Sequence, residues 1–449
     1  MNWLKMQAQQ RPNKKFINEM TFKEIDLRVT DLAGRLYPYV KGQRRVAMLA
    51  YNSVETVLFF LALQTLQIEV LMLNVLLTPK EINQKLNNLN IRVVFSQDNT
   101  FTSFQEVLQS TRQDYPTPAG AFHPEQIGVI MDTSGTSGKY KSVPLRWKQF
   151  AAHAQGSQEV LGVTEEDNWL MLLPMYHVGG LTVLLRCLYS GISITLLEKF
   201  DEERTLQLVA DESVNILSMV PTMLNRIVER IHEHQLRVVL VGGEFIYKPI
   251  AESCLAKKIP LFKTYGLTEN TSQVTTFNIM TAPHKLDSVG LPLPGMMIRI
   301  NEPDAAGIGE VCIKGPMLMD GYLGQAPVAD FFNTQDIGYI DEDGYLYLLD
   351  RRKNIIISGG ENIYPQEIEN VLYAHPNITE CAVVGVKDEK WGQAPVLFVV
   401  SSLDEQSIRE YLTERIAKFK LPREIIHLTD LPKNATGKIA KNKLVGLLN

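Results

Sequence analysis

Residues 132–142 read DTSGTSGKYKS, a stretch of small hydroxyl side chains, two glycines and two lysines in which only Tyr140 could fill a core. Gly135 and Gly138 allow a loop leaving a strand to turn its backbone N–H groups inward as an anion-binding nest. Thr133, Ser134, Thr136 and Ser137 would add hydroxyl donors, and Lys139 or Lys141 positive charge, so the guest such a loop fits is a polyphosphate. The spacing is G-x-x-G-K, not the G-x-x-x-x-G-K-[ST] of a Walker A loop. Residues of these types also make ordinary surface turns, and taken alone the stretch supports both readings.

Three further residues invite a chemical reading. Arg186 lies in LTVLLRCLYSG, an apolar stretch of helical character in which a guanidinium must snorkel to water, pair with a local acid or meet a ligand. A ligand with a carboxylate would satisfy it through two parallel hydrogen bonds. His177, in PMYHVGG, sits beside an aromatic residue just past a predicted strand; it is either packed and hydrogen-bonded or part of a ligand pocket. Lys438, on the turn PKNATGK near the C-terminus, reads by itself as a solvated charge.

The elements around these residues must position them. RVAMLA (45–50), IEVLMLN (68–74) and IRVVFSQ (91–97) read as strands buried on both faces. Between the last two, TPKEINQKLNNL has Thr78 as N-cap, Pro79 at the first helical position and Glu81 closing a capping box. IGVIMD (127–132) leads into the hydroxyl-rich loop and SVPL leaves it. WLMLLP (169–174), ISITLL (192–197), VNILSMV (214–220) and LRVVLVGG (236–243) continue the alternation, which predicts parallel sheets covered by helices. From about Met296 the pattern turns antiparallel, through MMIRI, GEVCIKG and the hairpin YIDEDGYLYLLD with its turn at Asp343-Gly344. After DRRKN a smaller α+β pattern begins, which places a domain boundary near Lys353.

Composition narrows the function. A chain of 449 residues is long for one hydrophobic core. A net charge of −5 and a pI near 6.0 give no reason to expect nucleic-acid binding. Cys187, Cys254, Cys312 and Cys381 form no CxxC pair, which fits a reduced compartment better than a disulfide framework or a zinc site. The opening MNWLKMQAQQRPNKK lacks the apolar stretch of a signal peptide. TVLFFLALQTLQIEVLMLNVLL is interrupted by Gln64, Gln67, Glu69 and Asn74, so it reads as helix then strand, without stable membrane insertion. The expected location is the cytoplasm.

Taken together, six segments in order resemble the signatures of the adenylate-forming superfamily of acyl- and aryl-CoA synthetases, luciferases and peptide-synthetase adenylation domains. They are TSGTSGKYK, LPMYHVGG (173–180), YGLTE (265–269), TQD (334–336), DRRKNIIISGGENIYPQEIE (350–369) and PKNATGK (432–438). The resemblance spans nearly the whole chain, with Tyr140 where the family usually has proline and Gln335 where it usually has glycine. It implies an α/β fold: a large N-terminal domain of helix-covered β-sheets plus a distorted β-barrel region (1–352), and a small mobile α+β C-terminal lid (353–449) hinged at Lys353. It also implies the reaction: a carboxylate attacks the α-phosphate of ATP, pyrophosphate leaves, and the thiol of CoA then displaces AMP.

Residue roles follow from the same resemblance. Residues Thr133 to Gly138, with Lys141, would grip the β- and γ-phosphates. Glu269 would hold Mg²⁺, although a salt bridge is its bland alternative, and Thr268 would touch the α-phosphate. Asp336 would accept hydrogen bonds from the ribose hydroxyls, with Arg351 supporting it. Gly243 and Glu244 of VGGE, with Tyr265 and Gly266, would wall the nucleotide, and Gly242 the acyl group. Lys438 would reach the α-phosphate and the substrate carboxylate, offsetting charge repulsion. Gly359 and Gly360 would let the pantetheine thiol pass close to the backbone, while Trp391 is expected to pack.

Within the superfamily, MYHVGGL, VLLR and GGENIYPQEIE resemble the bacterial o-succinylbenzoate–CoA ligases of menaquinone biosynthesis. Their substrate has two carboxylates, so Arg186 would partner the aromatic one, with His177 and Thr182 nearby; an internal ion pair is the competing role for Arg186. A different aryl- or medium-chain acyl-CoA synthetase is the alternative in class, and a nucleotide-binding scaffold without catalysis the remote one. Whether the chain forms a homodimer is left open.

Overall fold

The computed structural model describes residues 3–115, 123–134, 140–359, 361–433 and 439–448, with Ser134 and Tyr140 described by their backbone alone. Two sheets dominate the N-terminal part. The six-stranded one runs Thr102–Ser103, Val94–Ser96, Arg45–Leu49, Glu69–Leu73, Ile127–Ser134, Tyr140–Arg146. It is parallel except at the last pair, where the strands entering and leaving the hydroxyl-rich loop run antiparallel. Period-2 alternation sends neighbours to different cores. Val46, Met48, Val70 and Met72 pack with Phe22, Phe59 and Phe60 on one side; Ala47, Leu49, Leu71 and Leu73 pack with Ile82 and Leu86 on the other.

Helix Pro79–Asn88 starts with the expected capping box: Glu81 N donates to Thr78 Oγ1 and Thr78 N to Glu81 Oε2, at 3.3 and 2.8 Å. Its Lys85 pairs with Asp132 Oδ2 at 2.6 Å, and the other carboxylate oxygen accepts from Ser142 Oγ at 2.6 Å. This buried pair bolts the helix to both strands at the base of the loop. Removing one partner of such a pair costs about 3–5 kcal/mol.

The nine-stranded sheet has a parallel centre. Leu261–Leu267, Val238–Gly242, Ile216–Met219, Asn168–Met171 and Ser193–Leu196 lie side by side, and the N-terminal Lys15–Ile17 adds to that edge. On the opposite side Ser272–Asn278 returns antiparallel to Leu261–Leu267. Met297–Asn301, Gly309–Lys314, Phe332–Ile340 and Leu346–Arg351 form a four-stranded antiparallel meander, joined to the large sheet by a Gly290–Leu346 bridge. The last hairpin turns where expected, with Gly344 at φ 84°. Beyond it, Ile356–Ser358, Glu361–Ile363, Ile378–Asp388, Gly392–Ser401 and Glu424–His427 share a sheet. Helices Pro365–Tyr373 and Glu405–Thr413 cover it around a separate core that includes Ile363, Ile368, Leu397 and Ile408. Among the described residues no helix is long and apolar enough to cross a membrane.

Two backbone features shape the region where strands end. At Gly266 the register with Ser272–Asn278 shifts, and a Cβ there would lie 1.4 Å from Ser272 O, so the bulge admits only glycine. Gln335 holds φ 64°, the left-handed conformation that a glycine would adopt freely, so the backbone persists there despite the substitution. Asn333 Oδ1 accepts from Gln335 N at 2.8 Å and Thr334 Oγ1 from Asp336 N at 3.2 Å, which holds the strained residue in place. Opposite outcomes are therefore expected in urea unfolding: Gln335→Gly stabilises by about 1 kcal/mol, and Gly266→Ala destabilises by about 3 kcal/mol or more.

Candidate active site

In open α/β sheets, the space beyond the carboxyl ends of parallel strands is where ligands fit. His177 follows Asn168–Met171, Gly243 and Glu244 follow Val238–Gly242, and Thr268 and Glu269 follow Leu261–Leu267, which itself contains Tyr265 and Gly266. Thr133 arrives from the six-stranded sheet, and Asp336 and Arg351 from adjacent strands of the meander.

Glu269 sits on the single turn Thr268–Asn270, whose first carbonyl accepts from Thr271 N at 3.1 Å. Glu269 is 9% exposed; its Oε1 accepts from Tyr322 Oη at 2.8 Å and, more weakly, from Thr133 Oγ1 at 3.5 Å. Lys141 Nζ lies 4.8 Å from the centre of the Tyr322 ring. Glu269 is thus brought together with Thr133 and Lys141 of the hydroxyl-rich stretch, and Tyr322 joins them. The next two residues are left-handed, Thr271 at φ 54° and Ser272 at φ 99°, an uncommon state for non-glycine residues. Hydrogen bonds from Asn270 Nδ2 to Gln273 O, Thr271 Oγ1 to Met317 O and Met319 N to Glu269 O, each 2.7 Å, hold this turn. The described residues contain no cluster of three or more His, Cys, Asp or Glu that could hold a metal. A single carboxylate bonded to Thr133 and close to Lys141 does fit Mg²⁺, which fills its other positions with phosphate oxygens and water.

Tyr265, Asp336 and Arg351 meet at a second point. Asp336, 6% exposed, accepts from Tyr265 Oη at 2.5 Å and pairs with Arg351 Nε at 3.1 Å. Each carboxylate oxygen has one neighbour here and a second lone pair to spare, enough for a diol. Burial and the Asp336 charge push the Tyr265 phenol well above its ordinary pKa, so it stays a donor.

Arg186 takes none of the routes that would bring it an acid inside the protein. Its side chain, 3% exposed, donates from Nε to Thr182 O at 3.0 Å and from Nη1 to Gln273 Oε1 at 2.9 Å and Ser157 Oγ at 3.2 Å. The guanidinium lies 4.3 Å from the Trp169 ring centre. Among the described residues no carboxylate pairs with it. Burial draws its pKa down to about 10, leaving it charged at neutral pH. Gln273 Oε1 also accepts from His153 Nε2 at 3.1 Å; burial and Arg186 keep this histidine neutral. Gln273 Nε2 donates to Thr276 Oγ1 at 2.8 Å, which lies 3.0 Å from Thr264 Oγ1. Thr264 in turn abuts Gly242, where a Cβ would sit 2.6 Å from the threonine methyl. Arg186 and Gly242 are therefore two ends of one wall. Thr182 contributes its carbonyl to Arg186, while its hydroxyl is spent on Val178 O at 2.7 Å. His177 begins the helix that contains Arg186, with its ring 4.7 Å from that of Tyr176.

Lys353 is exposed on the short turn Arg352–Asn354. Gly359, also exposed, has φ 59° and donates to Trp391 O at 2.8 Å; a Cβ there would sit 2.8 Å from the indole, so Trp391 packs on it. Gly135, Thr136, Ser137, Gly138, Lys139, Gly360 and Lys438 lie outside the described residues, as does the side chain of Ser134. Tyr322, His153 and Gln273 escaped the sequence reading because their partners lie far along the chain; the lone His153 within a helical stretch was the only available signal.

Comparison with known proteins bears on this arrangement. The AMP-binding enzyme family profile matches residues 4–323, and that of the AMP-binding enzyme C-terminal domain matches 367–438. A 2-succinylbenzoate–CoA ligase of Lactococcus lactis is 47% identical over 455 residues, covering 99% of this chain and 100% of that protein. The o-succinylbenzoate CoA synthetase of Bacillus subtilis, in complex with the acyl-adenylate intermediate OSB-AMP, superposes with a TM-score of 0.92 at 31% identity, covering 99% of this chain and 97% of that one. Its complex with ATP and magnesium ion gives 0.91 at 30% identity, with 99% of each chain covered. A double mutant of it bound to the product analogue OSB-NCoA gives 0.75 at 31% identity, covering 99% and 98%. With strand ends, site residues and both profiles in the same order along the chain, this protein belongs to the AMP-binding enzyme family.

Proposed function

We propose that the chain is an ATP-dependent o-succinylbenzoate–CoA ligase serving menaquinone biosynthesis. The observation that carries the reading is the buried Arg186, a permanent cation without an acidic partner among the described residues, in a chain that aligns end to end with ligases for an aromatic dicarboxylate. The aromatic carboxylate would supply the missing countercharge through a paired hydrogen bond. That leaves the succinyl arm directed along the Gly242 wall toward the nucleotide. Free, buried cysteines suit a reducing compartment, and the cytoplasm is the proposed location.

In the first step a succinyl carboxylate oxygen attacks the α-phosphorus, the bond to the bridging β-phosphate oxygen breaks, and pyrophosphate departs with its electrons. Bound Mg²⁺ supplies charge neutralisation on the triphosphate, and Glu269 is the side chain placed to hold it. Tyr322 and Thr133 orient that carboxylate, and Lys141 adds positive potential. Asp336 holds the ribose, and Lys438 lowers the repulsion between two anions as they approach. In the second step the CoA thiol gives up its proton, sulfur attacks the acyl carbon, and the bond to AMP oxygen breaks. Lys353 is the proposed pivot between residues 1–352 and 353–449, and Gly359 and Gly360 the proposed passage for the thiol. Pivoting of this kind gates the second step without itself accelerating it.

Pyrophosphate release with o-succinylbenzoate should occur without CoA, and AMP release should require it; a chain that needs CoA for both does not work this way. Lys438→Ala should lower the first step by about a hundredfold or more while sparing thioester formation from supplied acyl-adenylate. Arg186→Ala should cut kcat/KM for o-succinylbenzoate by about a hundredfold and for benzoate or a medium-chain acid by far less. A panel of carboxylates read by AMP release checks this, and equal losses across it would give Arg186 a purely structural role.

A further inference from the structure

Helix Pro365–Tyr373 is held to the N-terminal region at both ends. At its start the cap residue Tyr364 offers no side-chain bond to the free N–H groups; instead Asp350, on the strand Leu346–Arg351, accepts from Gln366 N at 3.3 Å. At its finish Tyr373 stacks on Tyr247, with ring centroids 3.6 Å apart and planes 29° from parallel. Tyr247 stands three residues after Glu244 and caps the helix Lys248–Ala256, with Phe245 edge-on at 5.8 Å. The contact is thus tied by a short segment to the nucleotide wall. A helix of nine residues spaces its ends about 12 Å apart, at 1.5 Å per residue. One contact would let a domain swing about it in any direction; two restrict it to rotation about the line that joins them.

What holds this helix also holds the base of the segment with Lys438. Glu369, midway along the helix, accepts from Val383 N at 2.7 Å and pairs with Lys441 at 2.7 Å. Lys441 stands three residues after Lys438 in the sequence, and Lys433 and Ile439 form an antiparallel bridge.

The geometry points to Tyr247 and Tyr373 as positioning residues for the first half-reaction: their stack, with the Asp350 cap, clamps the C-terminal region in the orientation of that half-reaction, and must part before CoA reacts. This rests on the two-step ligase reading above. The chain superposes on the acyl-adenylate complex at 0.92 and on the CoA-product-analogue complex at 0.75, at equal identity. A stacked aromatic pair is also weak enough to open and close at each turnover.

Tyr247→Ala removes the stack while sparing Tyr373, whose hydroxyl also bonds to the Cys381 backbone, and Tyr247→Phe keeps the ring but loses the hydroxyl that bonds to Tyr373. Pyrophosphate release is measured without CoA, and thioester formation is measured from supplied acyl-adenylate without ATP. Tyr247→Ala should slow the first about tenfold and leave the second within about twofold, whereas Tyr247→Phe should stay within about threefold in both. A second readout needs no substrate. Nitroxides at Glu252→Cys and Lys387→Cys, both exposed positions in a chain whose native cysteines are buried, should give a narrow distance distribution that Tyr247→Ala broadens. Equal slowing of both half-reactions, no slowing of the first, or an unchanged distribution would overturn the clamp. If the unsubstituted chain releases no pyrophosphate with o-succinylbenzoate, the substrate reading falls, and the distance measurement alone decides the clamp.

Discussion

Arg186 keeps its charge inside the core with neutral partners, and a large part of the molecule is arranged to make that tolerable. An isolated ion in a low-dielectric interior costs several kcal/mol even after relaxation. Here the charge is spread over a backbone carbonyl, a hydroxyl, an amide oxygen and an indole face. These come from the helices Trp147–Leu161 and Val178–Ser190 and the strands Ser272–Asn278 and Asn168–Met171. Two helices and two strands must therefore keep register for one side chain. Gln273 cannot rotate its amide without losing Thr276, and His153 cannot gain a proton without facing the guanidinium. The wall that ends at Gly242 is stiff for that reason.

Backbone strain is concentrated at the mouth of the same wall. Thr271 and Ser272 lie two and three residues after Glu269, and Gln335 directly precedes Asp336. In both places an acidic side chain lies within two residues of a sparsely populated conformation, held at Thr271 by a bond to Met317 O and at Gln335 by Asn333 of the same strand. Such strain persists only where surrounding structure over-determines it. The gain is placement: each carboxylate is aimed by backbone geometry and does not depend on its own rotamer preference. The bulge at Gly266 adds to this by shifting Tyr265 relative to its partner strand, and Tyr265 then reaches Asp336.

Much of this framework was legible in the sequence, because parallel strands buried on both faces leave unbroken apolar runs. RVAMLA and IEVLMLN became Arg45–Leu49 and Glu69–Leu73, and the Thr78–Glu81 capping box formed as its spacing required. The Asp343-Gly344 turn was equally plain. Shorter elements were not: Lys15–Ile17 has too few residues for a periodicity, and IRVVFSQ contributes only Val94–Ser96. In the site, residue type and spacing announced Thr133, and the family resemblance announced Glu269, Asp336 and Arg351. The partners that orient them did not announce themselves. Tyr322 lies 53 residues from Glu269, and Gln273 lies 87 from Arg186. Nothing local distinguishes a tyrosine that aims a carboxylate from one that fills a gap. The helix stretch around Arg186 narrowed its role to three options, and only tertiary packing removed the internal acid from among them.

Trp169 is fully buried, its indole N–H is bonded to Ser218 Oγ at 3.0 Å, and its ring faces the Arg186 guanidinium. An indole reports the electric field across it through the colour of its emission. An anion arriving at Arg186 would cancel part of that field, whereas a neutral molecule in the same space would not. The protein thus has a built-in optical gauge of charge beside Arg186, placed where solvent cannot blur the signal.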